Sequence, residues 1–304
     1  MMLKFSLMLF SVLGAFTIIV SANYTLAEVV NCSPSVECNG TNDKDVMKGT
    51  LQNDKMNGIG GNDKMNGQDG ADQMNGGDGN DRIDGEDGDD IMNGGAGDDK
   101  MNGEAGNDGG EDIDSFMRGG PGNDIMDGGD GDEFGMRGDD GNDIMYGGNG
   151  NEEEMGGGAG DDIMYLGTGN EIDVTGDVGN DIIYGQDGVD VFGGYLGDDK
   201  LYGGKDNDVV VGEDGNDYIE GNEGNDALQG DFAREYGSDV ILGGPGDDKL
   251  YQSHHFEDHD GGPTNPDGFK DTLDCGPGND QAWINANTDH DIVKNCETVH
   301  DESS

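Results

Sequence analysis

From Gly40 to Tyr251 a large apolar residue recurs every nine positions, two places after an Asp, with glycine-rich polar sequence in between. Gly76-Gly77-Asp78-Gly79-Asn80-Asp81-Arg82-Ile83-Asp84 is one copy, and Gly94-Gly95-Ala96-Gly97-Asp98-Asp99-Lys100-Met101-Asn102 is another. Numbering each copy one to nine, the sixth position holds Asp45, Asp54, Asp63, Asp72, Asp81, Asp90, Asp99 and Asp108 without slippage. After a break it resumes at Asp124, Asp143, Asp162, Asp181, Asp190, Asp199, Asp208, Asp217, Asp226, Asp239 and Asp248. The eighth position holds Met47, Met56, Met65, Met74, Ile83, Met92 and Met101. Glycine at positions one, two and four permits positive φ and close backbone approach. Asn or Asp at position five tolerates the left-handed region and bonds back to its own backbone. Six residues therefore make a turn. Three more, such as Ile125-Met126-Asp127, make a short strand whose middle side chain alone faces inward. One apolar side chain cannot hold a turn by itself, so the turns must stack. Two turns and two strands close a coil of about 18 residues, and the repeat supplies about 22 turns, or about 11 coils.

Composition then decides what holds the stack together. The chain has 61 Gly, 68 Asp plus Glu and only 15 Lys plus Arg, a formal charge of −53. No Gly-X-Y period runs through it, which excludes collagen. The charge argues against nucleic acid and against anionic membrane surfaces as partners. Stacking brings each sixth-position Asp to about 4.8 Å from its equivalent one coil away, which is unfavourable unless a cation sits between the rungs. Carboxylates and turn carbonyls offer only oxygen, which suits Ca2+ in adaptable coordination and suits the strict octahedron of Mg2+ poorly. With so few apolar side chains, ion binding and folding are expected to be one equilibrium.

These nonapeptides resemble the RTX, or haemolysin-type, calcium-binding repeat, whose signature is Gly-Gly-X-Gly-X-Asp-X-U-X with U a large apolar residue. The resemblance implies an all-β fold, a right-handed parallel β-roll. Ca2+ would be held in the turns by the sixth-position Asp residues and by turn carbonyls, with roughly 15–20 ions per chain. It extends to Gly276-Pro277-Gly278-Asn279-Asp280, adding Asp280 to the candidate metal ligands, and to a terminal cap over 275–304.

The ends of the chain read differently. Residues 1–27 have the character of a secretory signal peptide: Lys4, an apolar run from Phe5 to Val20, then small residues. Residues 28–39 form a lead-in with Cys32 and Cys38, and 252–274 a His/Asp-rich loop containing His254, His255 and His259. Cys275 and Cys296 follow in the cap. Four cysteines after a signal peptide suggest two disulfides, for which Cys32–Cys38 with Cys275–Cys296 is the simplest of three connectivities. Trp283 is large enough to cover the open end of a narrow core, and the cap is expected to place it there.

The period fails in places. Residues 109–118 and 231–236 read as surface loops. The sixth position becomes Glu at Glu133, Glu152 and Glu171, and the eighth becomes Gly135, Glu154 and Asp173. A cage sized for Asp should fit Glu less well, and a charge in the core is costly. Ile172 and Val174 flank the slot after Glu171, which suggests a local one-residue slip. No Gly-X-Ser-X-Gly elbow appears and little sequence lies outside the repeats, so no enzyme is expected. The expected function is that of a secreted calcium-binding roll with a structural or interaction role. Its partner would be an extracellular protein or polysaccharide, without membrane insertion. The other function the family allows is an accessory or C-terminal-type module of a secreted hydrolase or toxin system.

Overall fold

The structure is a computed structural model and describes residues 27–33, 36–109, 117–231, 237–253, 270–284 and 291–301. The signal-peptide run, the three loop histidines and most of the two loops lie outside those residues. The described residues contain strands and turns and no helix. Twenty-eight short strands, β1 (Glu28–Asn31) to β28 (Thr298–Asp301), alternate between two 14-stranded sheets, odd-numbered strands in one and even-numbered in the other. Neighbours within each sheet pair in parallel, so the fold is a β-solenoid about 62 Å long at 4.8 Å per rung.

A regular strand is longer than the three residues expected. β5 (Lys64–Asp69) runs from position seven through position three of the next nonapeptide, and its burial alternates along its length. Two positions therefore face inward: eight, which is apolar, and one, which is glycine. Pairing keeps like positions together, as Met65 lies opposite Ile83 and Gln68 opposite Glu86. Every methionine from Met47 on is buried in the resulting core, with Ile83 among them. From Val174 the methionines give way to Ile183, Phe192, Leu201, Val210, Ile219, Leu228, Ile241, Leu250 and Leu273. Outside, the same register stacks Tyr146, Tyr165, Tyr184 and Tyr202 with ring centroids 5.0, 5.0 and 4.9 Å apart.

The solenoid extends past the expected boundaries at both ends. β1 pairs with β3 (Asp45–Lys48) and β2 (Cys38–Asn39) with β4 (Lys55–Asn57), so the lead-in is the first coil. β25 (Thr272–Asp274), β26 (Gln281–Ile284), β27 (Ile292–Lys294) and β28 add further rungs to both sheets. Cys32 bonds Cys38 in the first coil, and Cys275 bonds Cys296 across the last two. Trp283 does not cover the core. It occupies position nine, on the outer face, stacked 4.5 Å from Tyr251 and 4.6 Å from His300, while the small Ala282 points inward. The phase set by Asp280 outweighs the size of the indole.

The middle of the roll departs from the rule in a regular way. Three successive coils have 19 residues in place of 18. The extra residue follows each sixth-position Glu, and Gly135, Glu154 and Asp173 take it up with φ of 78°, 61° and 56°. This is the slip expected near Glu171, repeated three times as a β-bulge. It turns Glu154 and Asp173 out to solvent and brings Met136, Met155 and Val174 into the core instead. No charge enters the apolar interior.

Candidate metal centre

The sixth-position acids form two columns, one along each edge of the solenoid. The first contains Asp45, Asp63, Asp81, Asp99, Asp124, Asp143, Asp162, Asp181, Asp199, Asp217, Asp239, Asp271 and Asp291. The second contains Asp54, Asp72, Asp90, Asp108, then Glu133, Glu152 and Glu171, then Asp190, Asp208, Asp226, Asp248 and Asp280, ending at Glu297. Asp271, Asp291 and Glu297 were not among the candidates. Asp271-Thr272-Leu273 carries the Asp-X-apolar signal, but the segment before it hides the phase.

Along both columns the Asp backbone N–H donates to a carboxylate oxygen of the acid one coil further on, at 2.7 Å for Asp63 to Asp81 and 2.9 Å for Asp199 to Asp217, except at Asp108, whose next acid is Glu133. The like-charge ladder is thus partly relieved by the backbone itself. Position five runs the other way. Its N–H donates to the side chain one coil back, at 2.9 Å from Asn216 to Asp198 and 2.8 Å from Asn142 to Asn123. These side chains bind the neighbouring coil, not their own backbone as expected.

Oδ2 is the other half of the carboxylate. In the Asp residues from Asp63 to Asp226 it is buried and accepts no hydrogen bond. It shares its space with a carbonyl. A Cβ placed on Gly203 would lie 2.5 Å from Asp208 Oδ2 and 2.7 Å from the Gly221 carbonyl oxygen of the next coil. Position one is glycine because those two oxygens face the point a side chain would fill. Positive φ belongs to positions two and four; position two keeps it even in Gln68, Gln186 and Tyr195. Burial pushes the carboxyls up, to about 6 for Asp63 and Asp72, about 7 for Asp99, Asp124 and Asp181, and about 8 for Asp208. The backbone N–H of the preceding coil opposes this, and neighbouring carboxylates add to it.

Among the described residues no three His, Cys, Asp or Glu side chains converge on one point. An ion here would rest on one or two carboxylate oxygens and on turn carbonyls. That is an oxygen-only, backbone-rich donor set of the kind Ca2+ accepts, so the residues present fit that ion. Two turns differ. Asp45 Oδ2 takes N–H and hydroxyl hydrogen bonds from Thr41 at 2.6 and 3.0 Å, and Asp54 Oδ2 takes the Thr50 N–H at 2.6 Å. At these first rungs the turn itself satisfies the oxygen left open elsewhere.

A model of the RTX calcium-binding nonapeptide repeat matches residues 39–74, 75–110, 109–134, 136–151, 157–170, 173–201, 193–228 and 235–251, more than half of the chain. The chain belongs to this RTX repeat family. No curated protein matches it. The RTX matches stop and restart around the Glu-bearing coils, where the spacing lengthens by one residue.

Proposed function

We propose that this RTX protein is an exported, calcium-loaded β-roll whose folding is coupled to ion binding and whose role is structural or adhesive. The observation that carries the reading is the run of buried carboxylates from Asp63 to Asp226, each with an oxygen that no donor satisfies. A buried, unpaired carboxylate is among the costliest groups a protein can hold. Repeated at every turn, it is tolerable only if protons or cations neutralise it, and at neutral pH an RTX repeat has Ca2+ to do so. The ions bind between the rungs, held by Oδ2 atoms of the Asp residues from Asp63 to Asp248 and of Asp280 and by position-one carbonyls. The two disulfides suit an oxidising compartment, in keeping with a signal peptide at residues 1–27. They close the end coils, where a rung has a neighbour on one side only.

The test is far-ultraviolet circular dichroism of the chain from residue 28 in chelator, in millimolar Ca2+ and in millimolar Mg2+. The β signal is expected in Ca2+ alone. A full β spectrum in chelator at neutral pH would sink the reading.

A further inference from the structure

The three glutamates of the second column do not repeat the Asp arrangement. Glu133, Glu152 and Glu171 are 1%, 1% and 0% exposed, and neither oxygen of any of them accepts a hydrogen bond. The backbone N–H that holds Oδ1 of each Asp has no counterpart here. The position-one carbonyls keep their places, 2.4 Å from a Cβ on Gly128 for Gly147 and 2.2 Å from one on Gly147 for Leu166, but the carboxylate meets them differently. A Cβ on Gly128 would meet Cγ and Cδ of Glu133, each at 3.0 Å, where an Asp turn presents Oδ2. The extra methylene carries the carboxylate past that space. In the coil of Glu171 the inward position-one glycine is itself replaced by Leu166, fully buried.

The carboxylates are delivered to one another instead. Glu152 lies within hydrogen-bonding reach of both Glu133 and Glu171, and Glu171 reaches Asp190. Two carboxylates hold such a contact only by sharing a proton or a cation. Each gap between neighbouring glutamates therefore offers the four oxygens of two carboxylates. A position-four carbonyl also lies beside two of them, Gly106 on the Asp108 side of Glu133 and Gly150 between Glu152 and Glu171. A Cβ on Gly131 would touch both the Gly106 carbonyl and Glu133 Oε1, and one on Gly169 both the Gly150 carbonyl and Glu171 Oε1. Glutamate and bulge occur together in three successive coils, so the arrangement is built, not incidental.

We infer that Glu133, Glu152 and Glu171 form a second class of cation site, two gaps sharing Glu152, which takes a small hard divalent ion of the Mn2+ type in preference to Ca2+. Ca2+ seeks six to eight oxygens at about 2.3–2.6 Å, and each gap here offers the four oxygens of two carboxylates and one position-one carbonyl. Mg2+ dehydrates reluctantly, which suits carboxylates at 0–1% exposure poorly. Carboxylate and carbonyl oxygens suit Mn2+, which is smaller than Ca2+ and releases its waters more readily than Mg2+.

The experiment uses the full chain from residue 28, saturated with Ca2+ and dialysed against a trace of Mn2+ under at least tenfold Ca2+ excess. Bound Mn2+ is read by metal analysis and electron paramagnetic resonance. Wild type is expected to retain up to two Mn2+, with a spectrum broadened by coupling between ions roughly 5 Å apart, one rung spacing. Glu152→Gln should lose essentially all of it, and Asp199→Asn, in the other column, should lose Ca2+ and keep Mn2+. Circular dichroism in Ca2+ checks that each variant is folded, and Glu133→Gln and Glu171→Gln serve if Glu152→Gln is not; each should lose about half. Complete displacement of Mn2+ by Ca2+ in wild type overturns the inference, as does undiminished Mn2+ in the folded Gln variants. Either result leaves the calcium-coupled folding reading standing, because that is read by the spectrum in Ca2+ alone.

Discussion

The three 19-residue coils have an aspartate edge and a glutamate edge. On one side Asp124, Asp143, Asp162 and Asp181 continue the ladder unchanged, at N–H to Oδ1 distances of 2.7 and 2.8 Å. On the other, Glu133, Glu152 and Glu171 are as deeply buried and accept nothing. Both edges share the same coils, the same methionine core and the same stacking. The difference is therefore local: one methylene in the side chain and one residue in the strand. A half-filled carboxylate facing a glycine carbonyl is a property of the single turn, not of the solenoid.

The largest expected effect is common to both edges and concerns protons. Burial raises the carboxyls from 3.8 to about 6 at Asp63, about 7 at Asp124 and about 8 at Asp208, and Glu133 and Glu171 from 4.5 to about 9 and about 10, the adjacent carboxylates adding to burial. An acid whose folded pKa lies above its unfolded value binds its proton more tightly when folded. Its contribution to ion-free stability is present below the unfolded pKa and is lost as pH rises through the folded one. The chelated chain should therefore gain β structure on acidification from pH 8 to pH 4, with the steepest change between about pH 8 and 6. With Ca2+ present the dependence should reverse, because protons compete for the same oxygens. Circular dichroism titrations in chelator and in Ca2+ check both signs. A chelated chain that stays unfolded at pH 4 would show that carboxylate repulsion is not what opposes the fold.

The next effect separates the edges. With Ca2+ as the only divalent ion, falling concentration should open residues 128–175 to protease before 176–229. The defect has two parts, so repair should need both. Changing Glu133, Glu152 and Glu171 to Asp shortens the side chains but leaves the bulges. Deleting Gly135, Glu154 and Asp173 removes the bulges but leaves carboxylates too long for the space. Each change alone is expected to lower the resistance of this stretch, while the combined change should raise it to that of 176–229. Such non-additivity is the mark of neighbouring changes that share one interaction. If the three Glu→Asp substitutions alone restore resistance, the bulges are irrelevant to the site.

Much of this was legible in the nonapeptide because side-chain chemistry and phase coincide there. Asp at six and Met or Ile at eight announce a buried acid and a buried apolar side chain, and the slip at Ile172 and Val174 could be read from apolar residues flanking a charged slot. Position one was not legible as an inward position, because glycine has no side chain whose polarity could reveal burial. Its role appears only with the carbonyl of the next coil beside it. Position five was misassigned for a related reason. An Asn can bond its own backbone or a neighbouring coil equally well, and only stacking decides. Trp283 shows the opposite failure: its size suggested a cap, whereas counting three places from Asp280 puts it on the outer face. At Asp271 and Asp291 the ladder continues past long intervals, at 32 and 20 residues, that no fixed period predicts.

The smallest expected effect sets two glycines against each other, one in an aspartate cradle and one on the surface of the glutamate coils. Neither has positive φ, so the comparison isolates space from backbone strain. At Gly203 an added methyl would lie 2.5 Å from Asp208 Oδ2 and 2.7 Å from the Gly221 carbonyl, inside the space assigned to the ion's ligands. At Gly156, on the outer face of β14 (Glu153–Ala159), its nearest neighbours would be Asp177 Oδ2 at 3.4 Å and Thr175 Oγ1 at 3.7 Å, ordinary contact. Gly203→Ala should destabilise the Ca2+-loaded chain by about 1–3 kcal/mol, as overpacking does, and should also raise the Ca2+ concentration needed to fold it. Gly156→Ala should leave the Ca2+ midpoint unchanged and stabilise by roughly 0.5–1 kcal/mol, since a strand glycine without a steric duty only adds entropy to the unfolded chain. Thermal unfolding in saturating Ca2+, together with a Ca2+ titration of the β signal, separates the two. Equal Ca2+ midpoints for both variants would mean that the space beside Gly203 does not belong to the ion.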